Sequence, residues 1–313
     1  MSFNSIESYF AEFPDDIEQI IVSIQTHYLP DLSRFYKLTE LGCSSNKLTQ
    51  LPTLPSTLKV LLCYGNQLTQ LPTLPSTLKH LDCSNNQLTH LPTLPSTLKV
   101  LNCYDNQLTQ MPTLPSTLTD LYCYNNPLTQ LPTLPSKLTE LDCSNNQLTQ
   151  LPTLPSTLER LYCSDNQLTQ LPTLPSRLKV LSFYVNQLTQ LAILPSTLIH
   201  LDCRYNQLTQ LPILPSGLIH LHCSNNPLIF DSKKPVTNTK EYIIEMNKTN
   251  IIINRFKELF YTLKYKKHFR DLLWVHIREP KIRTKYHPDN LMKMLEDREN
   301  LTLDELDELD ANW

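Results

Sequence analysis

The sequence predicts an α+β chain: an arch of repeats with a parallel sheet on its inner face, flanked by a helical N-terminal cap and a small helical C-terminal domain. Three observations predict it. A 20-residue period runs through ten consecutive units. Inside most units a Leu and a Cys two residues apart precede a proline-dense return. Outside the units the apolar spacing changes to that of helices.

Residues 1–37 form the expected cap. Ile17, Ile20, Ile21, Ile24 and Tyr28 recur at helical spacing, and Pro14-Asp15-Asp16 supplies a helix start. The spacing predicts an amphipathic helix over 15–28 that covers the exposed leucines at the end of the arch. FPDDIEQII also resembles the opening of an F-box, the adaptor-binding motif of some ubiquitin ligases. That resemblance implies a substrate adaptor whose N-terminal helix recruits the ligase.

Residues 38–230 are the arch. Leu38, Leu58, Leu78 and their successors to Leu218 each open a unit of the form L-x-x-L-x-C-x-x-N-x-L-x-x-L-P-x-L-P-x-x. The Leu61–Cys63 step of two marks a short strand with one buried face. Leu71 and Leu74 then flank Pro72 and Pro75, a density of proline that excludes a helix and favours an extended return. One unit cannot bury its leucines alone. Stacking supplies the core and aligns the strands in parallel.

Two further columns run through the units. Asn46, Asn66, Asn86 and their successors to Asn226 occupy one position without a gap. A short amide there offers a donor and an acceptor to backbone groups in the turn after each strand. All nine cysteines share another position, which Phe183 fills in the eighth unit. A slot that accepts Phe is apolar, so the thiols are expected to be core. Disulfide, zinc and nucleophile readings each fit a one-sided ladder less well.

LPTLPSTL, NQLTQLP and the 20-residue length resemble the bacterial, LPX-type class of leucine-rich repeats, whose members include secreted effectors of animal pathogens. The resemblance covers residues 38 to about 230. It implies the solenoid fold and a protein-binding role, with many partners across the class. Some effectors of this type carry a downstream ubiquitin-ligase domain with a catalytic cysteine, but no cysteine follows Cys223 here. The tail KYHPDNLMKMLEDRENLTLDELDELDANW resembles that of repeat proteins from giant DNA viruses of amoebae. It implies a viral chain acting in the cytoplasm of a host cell, on a host protein.

Repeats within one chain act as their own control. L-T-Q-L-P-T-L-P-S-T recurs almost verbatim, while residues that alternate with the buried Leu and Cys change freely. These point outward on the inner, concave sheet. Tyr64, Tyr104, Tyr122, Tyr124, Tyr162 and Tyr184, with Arg160 and Arg204, are the expected partner-binding residues, because Tyr and Arg supply large contact area with polar reach. The competing reading is drift at exposed positions that tolerate any soluble residue. His200, Asp202, His220 and His222 fall on adjacent rungs and are candidate metal ligands. Polar decoration is the competing reading, since nothing specifies the partners that orient ligating histidines.

Residues 231–313 are the expected helical domain. Ile252, Phe256, Leu259, Phe260 and Leu263 fit one helix face, Pro280 stops a second helix, His287-Pro288-Asp289 opens a third and Thr302 caps a fourth. The basic residues at 255, 257, 264, 266, 267, 270, 278, 281, 283 and 285 offer a nucleic-acid surface. Acids over 289–310 offer a neutralising partner for it, and this second reading is preferred. Three glycines in 313 residues exclude Gly-rich phosphate loops, and a net charge of −3 gives no case for an anionic surface as partner. No enzyme, no cofactor and no membrane contact is expected, and the absence of a basic, apolar leader predicts a cytoplasmic protein.

Overall fold

Each repeat contributes three residues of strand because only its central Leu and the following Cys must turn inward. In Val60–Leu62 the middle residue is buried and its neighbours are half-exposed. The computed structural model describes residues 5–228. Among the described residues there are one short helix, α1 (Ile6–Ala11), and eleven strands. These are β1 (Gln19–Ile21), β2 (Glu40–Gly42), β3 (Val60–Leu62), β4 (His80–Asp82), β5 (Val100–Asn102) and β6 (Asp120–Tyr122), then β7 (Glu140–Asp142), β8 (Arg160–Tyr162), β9 (Val180–Ser182), β10 (His200–Asp202) and β11 (His220–His222). They form a single sheet in sequence order, every neighbouring pair parallel. From β2 onward the register is the repeat itself, as in Leu61↔Leu81 and Leu81↔Leu101.

The core is a stack of identical layers. Leu58, Leu61, Cys63 and Leu68 are fully buried, and Leu71 and Leu74 close the layer from the return side. Phe183 takes the cysteine slot with no exposure, as expected of an apolar position. The prolines end the extended return in a turn, in which the Leu78 N–H donates to the Pro75 carbonyl at 3.1 Å.

The asparagines do more than close their own turns. Asn126 donates to the Cys123 carbonyl at 3.2 Å and to that of Cys103, one repeat earlier, at 3.1 Å. Its Oδ1 accepts from the Leu108 N–H at 2.9 Å, so each amide ties two layers together. A second ladder runs along the return: Thr117 Oγ1 donates to the Ser96 and Leu98 carbonyls at 2.7 and 2.8 Å. The residue before each Asn takes left-handed backbone, from Ser45 (φ 55°) through Gly65 (φ 64°) to Asn225 (φ 58°). Asn, Asp and Gly fill most of that column because their side chains tolerate the conformation. Val185 (φ 52°), a β-branched residue, does not belong to that group.

The N-terminal cap differs from expectation. No helix spans 15–28; Gln19–Ile21 is strand β1, paired with β2 as Ile20↔Leu41. The reason is the open edge of β2, whose backbone groups need partners. Val22 N–H donates to the Gly42 carbonyl at 2.7 Å, while Thr39 N–H donates to that of Glu18 at 2.8 Å. Ile20 and Val22 point inward as a strand requires, leaving Ile21 outside. Leu29, Leu32, Phe35 and Leu38 continue the buried pattern, so residues 19–37 are a degenerate eleventh repeat. The helix lies earlier, at Ile6–Ala11, with Ser5 and Ser8 forming a reciprocal cap. It buries Ile6, Tyr9 and Phe10, the last against the Phe35 ring at 6.0 Å. A six-residue helix followed by a strand is not the three-helix F-box that FPDDIEQII suggested. The helical C-terminal domain, its boundary at 230/231 and the basic run lie outside the described residues. No described helix is long and apolar enough to cross a membrane.

Candidate binding surface on the concave sheet

The outward residues of β2–β11 stand in columns because consecutive strands are in register. Tyr104 and Tyr124, two residues past the ends of β5 and β6, stack face to face with centroids 4.3 Å apart and planes 7° apart. Tyr122 and Tyr162 sit within β6 and β8, half-exposed, and Tyr64 is exposed. Arg160 is held by Glu140 at 3.1 Å. Arg204 is held by Asp202 through Nε at 2.9 Å and Nη2 at 2.6 Å, and its guanidinium lies 5.6 Å from the centre of the Tyr184 ring. The structure thus places all eight expected partner-binding residues on one face.

In the column of Tyr104 and Tyr124 the next two positions are Ser144 and Ser164, before Tyr184 restores an aromatic ring. The missing rings leave a depression of about 510 Å³ between Tyr124 and Tyr184, floored by Asp142, Tyr162 and Ser182. Burial pushes the pKa of the Tyr122, Tyr124, Tyr162 and Tyr184 hydroxyls above the usual phenol value, so they stay protonated donors. Burial also raises that of Asp142, against the opposing hydrogen bonds from Ser144. Asp165, Asn125 and Asn145 line the same depression and were not singled out from the sequence. They belong to the left-handed column just before the constant Asn, whose enrichment in Asn and Asp was the available signal.

The histidines at the far end are brought together in the expected register, His200↔His220 and Asp202↔His222. The His200 ring lies 5.6 Å from that of His220 and 5.8 Å from that of His222. Burial, then the neighbouring His222 and His220, hold the His200 imidazolium below its usual range. Asp202, however, is taken by Arg204. Among the described residues no three His, Cys, Asp or Glu side chains are grouped to hold a metal ion. The nine cysteines are buried and none of them is in a disulfide; burial pushes the pKa of Cys43 up to about 12 and raises those of Cys63, Cys83 and Cys103 above the ordinary thiol value.

Residues 136–176 match the family described as leucine-rich repeats (2 copies), and residues 77–98 match the single leucine-rich repeat. The structure of YopM from Yersinia enterocolitica WA-314 superposes with a TM-score of 0.58 at 33% identity, over 70% of this chain and 58% of that one. The chain thus carries leucine-rich repeats and is similar to a bacterial protein built from them. The domain of InlJ from Listeria monocytogenes, described as including a cysteine ladder, aligns at 26% identity and a TM-score of 0.51 over 72% of this leucine-rich-repeat chain and 61% of that one. The leucine-rich repeat domain of APL1B, at 22% identity and a TM-score of 0.54 over 71% of this chain and 78% of that one, shares the fold. This chain spans less than two thirds of the YopM and InlJ structures. A comparison with curated protein sequences returned no match.

Proposed function

We propose that this leucine-rich-repeat chain is a non-catalytic protein-binding scaffold that engages its partner through the concave face of the sheet. The observation that carries the reading is the division of labour between faces. Side chains that vary from repeat to repeat, tyrosines and arginines among them, stand together on the strands, while the return is nearly constant. Rigid strands hold these rings in place before binding, which lowers the entropy lost on association. The likeness to YopM, at 33% identity, supports a binding scaffold of the bacterial type. Buried cysteines outside any disulfide favour a reducing compartment, and we place the chain in the cytoplasm of a host cell with a host protein as partner. Fractionation of host cells expressing the tagged chain checks the compartment; recovery in the secreted fraction alone would contradict it.

The binding test uses the full chain to capture partners from host-cell lysate. Tyr104→Ala with Tyr124→Ala is expected to weaken retention of a captured protein by about 1–3 kcal/mol. Gln110→Ala with Gln130→Ala, exposed on the return side, is expected to leave it unchanged. A larger loss from the glutamine pair refutes the concave assignment.

A further inference from the structure

The concave face carries an internal precedent for a ligand. In the ninth repeat Asp202 is neutralised by Arg204, two residues further on, and that guanidinium also lies against the Tyr184 ring. In the sixth repeat the equivalent carboxylate is Asp142, but the position two residues on is Ser144, which offers only its N–H at 3.0 Å and its hydroxyl. Among the described residues Asp142 and Asp165 have no cation within ion-pairing distance. Both line the depression between Tyr124 and Tyr184.

We infer that this depression is a docking site for an arginine-bearing extended segment of a protein partner. Three features select that chemistry. First, the walls are aromatic and braced from outside: Tyr124 by its stack with Tyr104, and Tyr184 by Arg204. Second, the charge is predominantly negative. Across the outward positions between 80 and 165 stand Asp82, Asp105, Asp120, Glu140, Asp142 and Asp165, against Arg160 alone, which Glu140 already holds. Third, a guanidinium lies flat on a tyrosine while forking to a carboxylate, which a lysine ammonium cannot do. The walls are three strands apart, about 14 Å, so an extended backbone lies across the sheet between them with its side chain directed at Asp142.

This inference rests on the concave-face reading. Its test is fluorescence anisotropy of the full chain with a labelled Gly-Arg-Gly-Arg-Gly peptide and its lysine counterpart. The discriminating variant is Ser144→Arg, which rebuilds the Asp202–Arg204 arrangement at Asp142 and so fills the site from within. Ser156→Arg adds the same charge on the exposed return of the same region. Saturable binding of the arginine peptide is expected, weakened at least about tenfold by Ser144→Arg, the loss of one charge-assisted contact. Ser156→Arg is expected to leave it within about twofold, as a distant surface charge does. Equal effects of the two substitutions, equal affinity for the lysine peptide, or no saturable binding overturns the site. If Ser144→Arg retains a captured partner that Tyr104→Ala with Tyr124→Ala releases, the arginine site falls and the concave-face reading stands.

Discussion

Replacing Asn126 by Ala tests whether the asparagine ladder is what locks one repeat to the next. The side chain is 6% exposed and makes four hydrogen bonds: donations to the Cys103, Cys123 and Tyr124 carbonyls at 3.1, 3.2 and 3.2 Å, and acceptance from Leu108 N–H at 2.9 Å. The three carbonyls keep other partners, since Asn106, Asn146 and the Asp105 N–H also donate to them. Only the buried Leu108 N–H is orphaned, at a cost of about 1–3 kcal/mol. The three lost donations add roughly 0.5 kcal/mol each, because their acceptors remain satisfied. The total is about 3 kcal/mol. At Asn226, in the last described repeat and only part-buried, water replaces the lost partners and Asn226→Ala costs about 1 kcal/mol. Urea denaturation with an unchanged slope measures both. A cost below about 1 kcal/mol at Asn126, or equal costs at the two sites, refutes the inter-repeat role.

Val185→Asn is expected to stabilise the chain by about 1 kcal/mol, since Asn tolerates the left-handed backbone that an exposed Val holds at φ 52°; thermal unfolding that falls instead contradicts it. Ile20→Ala is expected to cost about 3 kcal/mol and Ile21→Ala less than about 1 kcal/mol, because only the first points into the core; equal costs in denaturant contradict the strand assignment. For the thiols, a folded pKa raised above the unfolded one means stability is complete below the unfolded value and lost as pH rises past it. The loss for Cys43 begins near pH ~8.5, runs at up to ~1.4 kcal/mol per pH unit, and ends near its folded value of about 12. A stability that is flat between pH 8 and 10 excludes buried thiols.

The arch was legible in the sequence because ten copies repeat the same physics. A step of two between Leu61 and Cys63 fixes a strand, and Phe183 in the cysteine column identifies an apolar slot. The N-terminus was misread because a single copy carries no period. Ile17, Ile20, Ile21 and Ile24 satisfy helical spacing, yet Ile20 and Val22 also satisfy alternation, and local pattern alone does not arbitrate between them. What decides is tertiary: the unpaired edge of β2 offers hydrogen bonds that an isolated helix forgoes. The clue was Leu29-Pro30-Asp31-Leu32, an echo of the L-P-x-L return that marks the segment as a worn repeat. The candidate site divides along the same line. Its tyrosines were visible as column residues that differ between copies. The depression was not, because it is made by an absence, two serines where neighbouring copies have rings. Nor was the withdrawal of Asp202 from the histidines visible, since it depends on which way Arg204 turns. Repetition makes the common structure readable, and function lies in the departures from it. Reading those departures requires knowing which side chains face each other across strands, and that comes only from the register.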